Sequence, residues 1–318
     1  MEKIKNKGWS VTMAGMGINL ALGILYTWSI FKLAIEKSIT SGDGRFLWDQ
    51  ASLNDPYAVC CLAFAFTMIL AGRVQDRLGP RITAMIGGVL TGLGLIWISQ
   101  SYSLMVWILG FGLLTGAGLG FGYASATPPA IKWFPASRTG LIAGLVVSGF
   151  GLASVYIAPL ANYLIAKFGL GASMMIFGIA FMIIVCLLAQ LLINPPEGYT
   201  PAESSPRKEI NKGAGAQESR DFEPSEMLRT QTFYLLWFIY AVASGAGLMI
   251  IGNVAGMAQE NMGEWAWVVV ALMAVGNAAG RIVAGLLSDR IGRTQTLAIM
   301  LTFQSLIMFS LYMTDKGS

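Results

Sequence analysis

The chain has 318 residues, 55% hydrophobic and 12% charged, with a formal net charge of +4 and no histidine. A soluble domain carries about twice that charged fraction. The charges cluster in short loops and leave long apolar runs empty, which is the pattern of an all-α membrane protein. The basic residues form no stripe, so the surplus charge does not point to nucleic acid. Without histidine, zinc chemistry and histidine-based catalysis are not expected.

In chain order, Met1 to Lys7 is basic and leads into a long apolar run. A signal peptide has a shorter apolar core and a small-residue cleavage site, so a retained first helix is expected. Nine apolar spans follow, near 9–33, 56–72, 82–99, 103–127, 139–165, 171–193, 230–257, 265–287 and 295–313. Each approaches the roughly 20 residues that cross about 30 Å of hydrocarbon. In the first, Thr12, Asn19 and Tyr26 share one face, which lines a cavity or bonds to neighbouring helices. Trp28 is expected as an interfacial aromatic anchor. Cys60, Cys61 and Cys186 all lie in apolar runs and are expected to pack as small hydrophobes.

After the second span comes Gly72-Arg73-Val74-Gln75-Asp76-Arg77-Leu78-Gly79-Pro80-Arg81. In the fourth span Gly112, Gly116 and Gly120 recur at four-residue spacing, which lets another helix approach closely. Tyr123 follows near the end of that span, as a ligand contact or an interfacial anchor. A polar stretch rich in Pro, Ser, Glu and Lys separates the sixth and seventh spans. It reads as a linker, with a short amphipathic helix near Pro224 to Leu228. The expected division is a six-span half over 1–194, a linker over 195–229 and a three-span segment over 230–318.

The eighth span ends in Gly285-Leu286-Leu287-Ser288-Asp289-Arg290-Ile291-Gly292-Arg293. Both loops read G-x-x-x-D-R-x-G, and their recurrence implies an internal structural repeat, the construction principle of many transporters. Gly72, Asp76, Arg77 and Gly79, with Gly285, Asp289, Arg290 and Gly292, are expected to form a gating loop pair. Their charges would make inter-helix contacts and would not touch a ligand.

Arg281 is the exception to the charge pattern. Every other basic residue lies in a loop or at a span end, and no Asp or Glu lies well inside a span. Eight residues before Asp289, Arg281 sits about 12 Å inside the membrane at 1.5 Å per residue. A charge there costs at least about 2.5 kcal/mol on insertion scales. Helical side chains lean toward the N-terminus, so Arg281 points toward the midplane and cannot easily snorkel. With no acidic partner in the spans, its complement is expected to be a bound anion, with a structural ion pair or snorkelling as the alternative, and a guanidinium holds a carboxylate through two parallel hydrogen bonds. Asn277, one turn earlier on the same face, is placed to donate to a second ligand oxygen or to bond between helices.

With the N-terminus inside, the inner loops hold 15 Lys and Arg residues and the outer segments five. The positive-inside rule therefore puts the N-terminus and both repeated loops in the cytoplasm, in a cell inner membrane.

The repeated loop resembles that of the major facilitator superfamily, found between spans 2 and 3 and between spans 8 and 9. Three further stretches resemble its monocarboxylate carriers and oxalate/formate antiporters. They are Gly23-Ile24-Leu25-Tyr26-Thr27-Trp28-Ser29, Gly118 to Tyr123 with Trp133-Phe134-Pro135 and Arg138-Thr139-Gly140, and Asn277-Ala278-Ala279-Gly280-Arg281. The resemblance implies the major facilitator fold, here a six-helix half plus three helices of a second half. The superfamily has twelve spans, so a chain ending at Ser318 is expected to be truncated. In that branch the arginine of the eighth span binds the substrate carboxylate, and aromatics of spans 1 and 4 line the cavity. Carried over, the substrate-binding candidates are Arg281, Asn277, Tyr123 and Tyr26. One departure stands out: animal monocarboxylate carriers typically have Asp where this chain has Asn277, which cannot titrate.

The expected function is secondary transport of a small carboxylate anion, first as lactate- or pyruvate-like uptake with a proton and, as the runner-up, as oxalate/formate-type exchange. A non-transporting sensor or partner subunit with the same fold is the alternative from another class. No nucleophile–base pair exists in the spans, so an enzyme is not expected. The partners implied are the carboxylate, the lipid bilayer and, for symport, a proton, with a monomeric functional unit and no cofactor.

Overall fold

The computed structural model describes residues 6–196, 198–201 and 224–315, and these form helices without a strand. Helix is the expected outcome, because a lipid-embedded backbone must satisfy its own hydrogen bonds. Helix α1 (Gly8–Ser41) passes through a 3₁₀ turn at Gly23–Thr27. The run Asp55–Ile98 is broken at Gly79, with φ 82° and ψ 168°, into α2 (55–78) and α3 (80–98). Helix α4 (Leu104–Ile131) contains a π-helical segment at Ile108–Thr115. The run Thr139–Ala189 is broken at Gly169, with φ 80° and ψ 168°, into α5 (139–168) and α6 (170–189). Helices α7 (Gln231–Met262), α8 (Ala266–Ile291) and α9 (Arg293–Asp315) follow. Most of the expected linker lies outside the described residues, and its short helix is present as Pro224–Met227.

The three glycine breaks share one construction. Gly79, Gly169 and Gly292 have φ of 82°, 80° and 95°, with ψ near the extended value, a combination that only glycine adopts without strain. Each is followed four residues on by a hydroxyl that donates back to the glycine carbonyl. The bonds are Thr83 Oγ1 to Gly79 O at 2.8 Å, Ser173 Oγ to Gly169 O at 2.7 Å and Thr296 Oγ1 to Gly292 O at 2.8 Å. Gly79 and Gly292 are the last glycines of the two loop copies, so the repeated motif ends in a repeated backbone turn. After Gly79 the next helix starts on Pro80, whose fixed φ suits a first helical position.

Small residues set the packing. Gly112, Gly116 and Gly120 all face α2, as their spacing suggests. A Cβ on Gly112 would stand 2.8 Å from Val59 Cγ1, and one on Gly116 2.7 Å from Cys60 O. Helix α5 lies between α1 and α8. Asn19 bridges the first contact, its Nδ2 donating to Val146 O at 2.9 Å. Trp28 departs from expectation. It is fully buried, among Tyr57, Trp107 and Phe111, and its Nε1 has no hydrogen-bond partner. Packing against three aromatic neighbours outweighs the interfacial preference of a single indole.

At the end of the bundle that carries the N-terminus, Arg81 and Lys7 line one surface cavity. Trp133 closes the same end, donating Nε1 to Ile193 O at 2.9 Å.

Candidate functional site

Helices α1 and α4 each send one polar side chain to the same point, and α8 sends two. Arg281 Nε donates to Asn277 Oδ1 at 2.7 Å, Nη2 to the Tyr26 hydroxyl at 2.9 Å and Nη1 to the Tyr123 hydroxyl at 3.5 Å. The last is at the limit of a hydrogen bond. All four line a cavity of about 330 Å³. Arg281 bonds to no carboxylate among the described residues.

The backbone of α8 is held close to α5 so that its side chains can cross the cavity. A Cβ on Gly144 would stand 2.8 Å from Arg281 O, and one on Gly151 2.8 Å from Asn277 Oδ1. Glycine leaves room for the backbone of α8 at position 144 and for the Asn277 side chain at position 151. The tyrosine rings are fixed by Phe150, edge-on to Tyr26 at 5.0 Å and to Tyr123 at 5.4 Å, with Phe64 edge-on to Tyr123 at 5.5 Å. Both hydroxyls are thus carried on rings that packing holds in place.

The chemistry follows from counting donors. A guanidinium has five N–H groups and no acceptor. Three engage neutral oxygens of this chain, and two remain. Asn277 accepts from Arg281 through its oxygen, so its role as ligand donor falls to Nδ2. The site is cationic, has aromatic walls and presents an excess of donors, a combination that complements a small anion with a flat acceptor edge.

Sequence reasoning missed Phe64 and Phe150, and also Cys61, Ser244 and Tyr240 on the cavity wall. For Phe150 a signal existed: it stands between Gly149 and Gly151, in a span where bulky and minimal residues alternate. Nothing local marks Phe64, which reads as one more apolar residue in α2.

The repeated loops lie outside this cavity. Asp289 accepts from Gly140 N at 2.9 Å through Oδ1 and from Leu141 N at 2.8 Å through Oδ2. Its partner is the start of α5, not an arginine. The first N–H groups of a helix have no partner within it, and they attract a carboxylate. Arg77 and Arg290 are exposed, and Asp76 is exposed as well. The two copies also differ at the first glycine. A Cβ on Gly285 would collide with the Gly140 carbonyl, whereas one on Gly72 would meet nothing.

The chain is 28% identical over 295 residues to "Uncharacterized MFS-type transporter YhjX" of Escherichia coli (strain K12), covering 92% of this chain and 68% of that protein. It is 25% identical over 306 residues to the oxalate:formate antiporter of Oxalobacter formigenes, covering 95% and 68%. It is 27% identical over 289 residues to monocarboxylate transporter 11 of Mus musculus, covering 89% and 60%. Among solved structures, a crystal structure of a D-xylose-proton symporter aligns with a TM-score of 0.46 at 16% identity, covering 93% of this chain and 69% of that one. The family model of the Major Facilitator Superfamily matches residues 7–317, so this chain, a multi-pass membrane protein of the transporter class and not an enzyme, belongs to that superfamily.

Proposed function

We propose that the protein carries small carboxylates across the membrane by alternating access, with Arg281 as the carboxylate ligand. One observation carries this reading: an arginine deep in the bundle has only neutral oxygens, from Tyr26, Tyr123 and Asn277, as partners. A buried cation without an acid is poorly compensated, and a bound carboxylate supplies the missing charge. Aromatic walls suit the short carbon skeleton behind it. Two relatives named for carboxylates, an oxalate:formate antiporter and a monocarboxylate transporter, support the same substrate class.

In the first form, one guanidinium binds one monocarboxylate of the lactate or pyruvate kind, and a proton travels with it. In the second, one carboxylate is exchanged for another. The second is favoured by the cavity wall, which contains no Asp or Glu among the described residues. An empty site then holds an uncompensated charge, and returning it across the membrane without cargo is unfavourable.

The tally of inner and outer Lys and Arg supports a cytoplasmic N-terminus in an inner membrane, with the repeated loops on the cytoplasmic side. We assign those loops to the inner gate, 1–194 and 230–318 to the two moving parts, and a single chain to the functional unit. The deciding experiment is uptake of labelled lactate and oxalate into proteoliposomes. Uptake driven by an inward proton gradient into empty vesicles marks symport. Uptake only into vesicles preloaded with a carboxylate marks exchange. Carboxylate binding without uptake in either mode would mark a sensor.

A further inference from the structure

The polar groups around Arg281 are engaged with one another. The guanidinium bonds to the oxygens of Tyr26, Tyr123 and Asn277, which come from α1, α4 and α8. Helix α7 forms a further wall of the same cavity, through Tyr240, Ser244, Gly247, Leu248 and Ile251. Positions 240, 244, 247 and 251 recur at intervals of four and three and so share one helical face. That face changes character along its length, from two hydroxyl side chains to the apolar Leu248 and Ile251.

Ser244 is the anomaly on it. A hydroxyl inside an apolar helix usually bonds back to a carbonyl one turn earlier. Thr67 does so to Ala63 O at 2.6 Å, Ser148 to Leu145 O at 2.7 Å and Ser305 to Leu301 O at 2.9 Å. The partly buried Ser244 hydroxyl makes no hydrogen bond among the described residues, to its own helix or to another. Its position is nevertheless fixed. Gln304 Nε2 of α9 donates to the carbonyl of the preceding residue, Ala243, at 2.9 Å. The helix then runs Ser244-Gly245-Ala246-Gly247, and such small residues keep the wall recessed at this height. Tyr240, one turn earlier, also carries a hydroxyl, but its side chain is 74% exposed, so packing does little to fix it. Leaving a polar group unpaired in an apolar wall is unfavourable, and a ligand oxygen supplies the missing partner of Ser244.

We infer that Ser244 is the specificity-determining residue of this cavity: with the carboxylate on Arg281, its hydroxyl bonds an oxygen carried on carbon 2 of the substrate. The class selected is short acids oxygenated beside the carboxylate. A hydroxyl donates to a keto or carboxylate oxygen and either donates to or accepts from an alcohol, so 2-hydroxy acids, 2-oxo acids and oxalate all satisfy it. Acetate and propionate leave it unpaired, and a site built to bond a group loses affinity for an analogue that lacks it. The inference rests on the carboxylate reading of Arg281, but it is measured as a ratio between two acids with the same carboxylate.

The test is a binding titration of the purified protein with lactate and with propionate, which differ by one hydroxyl. The parent chain is expected to favour lactate by about two- to ten-fold, the worth of one neutral hydrogen bond. Ser244→Ala should weaken lactate until the two acids bind within about 1.5-fold of each other, and should change propionate by less than about two-fold. Ser244→Thr keeps the hydroxyl and should keep the preference. Tyr240→Phe should keep it as well. A parent chain without a preference for lactate would overturn the inference. So would a preference that survives Ser244→Ala or disappears in Tyr240→Phe. An equal loss of both acids in Ser244→Ala would also overturn it, by marking a structural role. Arg281→Lys tests the underlying reading separately, since it should weaken both acids together. If it leaves propionate binding unchanged, the carboxylate reading fails, while the acid ratio in Ser244→Ala still shows whether Ser244 reads the second oxygen.

Discussion

The Tyr26 hydroxyl stands 2.9 Å from Arg281 Nη2, and this contact ties the first helix to the eighth across the cavity. The hydroxyl is a neutral acceptor opposite a full charge, so a carboxylate oxygen replaces it on better terms. Loading the site would therefore exchange an inter-helix bond for a bond to cargo. That makes Arg281 the residue whose substitution is most telling. Arg281→Lys should weaken carboxylate binding by about ten- to a hundred-fold, because lysine keeps the charge but loses one of two parallel bonds worth roughly 1.5–3 kcal/mol each. Calorimetric binding of lactate and oxalate to purified protein checks this. Unchanged affinity in folded protein would remove Arg281 as the ligand.

The two tyrosines should separate. Tyr26→Phe removes the 2.9 Å partner, whereas Tyr123→Phe removes the one at 3.5 Å. Both rings keep their contacts with Phe150, so packing is little disturbed. Tyr26→Phe should shift carboxylate affinity by about 0.5–1.5 kcal/mol and Tyr123→Phe by clearly less. A larger effect at Tyr123 would mean that this hydroxyl contacts the ligand directly.

Gly144 and Gly151 allow a similar contrast on α5. A Cβ on Gly144 meets the backbone oxygen of Arg281, which cannot move without its helix, while one on Gly151 meets the Asn277 side chain. Gly144→Ala is expected to lower stability by about 1–3 kcal/mol through overpacking. Gly151→Ala should act mainly on ligand affinity, by turning Asn277 away from Arg281. Thermal unfolding in detergent beside a binding titration distinguishes the two, and identical melting of both variants would argue against a rigid α5–α8 contact.

Asp289 and Asp76 occupy equivalent places in the two loops but have different surroundings. Asp289→Ala removes both acceptors from the start of α5 and should cost about 0.5–2 kcal/mol, the range for loss of a helix cap. Asp76→Ala should leave the stability of this chain nearly unchanged, because its side chain is exposed. Equal destabilisation by both would mean that Asp76 has an equivalent partner.

Much of this was legible in the sequence. The apolar spans and the repeated loop gave the helices and two of their three glycine turns. The isolation of Arg281 singled out the residue around which Tyr26, Tyr123 and Asn277 gather. What stayed hidden depends on contacts between distant segments. Trp28 looks like an anchor until Tyr57, Trp107 and Phe111 surround it. The carboxylate of Asp289 looks like half of an ion pair until α5 brings two unpaired N–H groups to it. Phe64 shows no polarity or spacing that would mark it, and its place beside Tyr123 exists only once α2 packs on α4.

The turns at Gly79, Gly169 and Gly292 have a mechanical consequence. In each, a single residue joins two long helices, and a Ser or Thr hydroxyl pins that residue to the following turn. Such a joint has no slack. A tilt of α8 would be passed to α9 through that single residue and not absorbed by a loop, and the same would hold for α5 with α6 and α2 with α3. Lengthening any of the three joints by even a few flexible residues would let one helix of the pair move while the other stayed still.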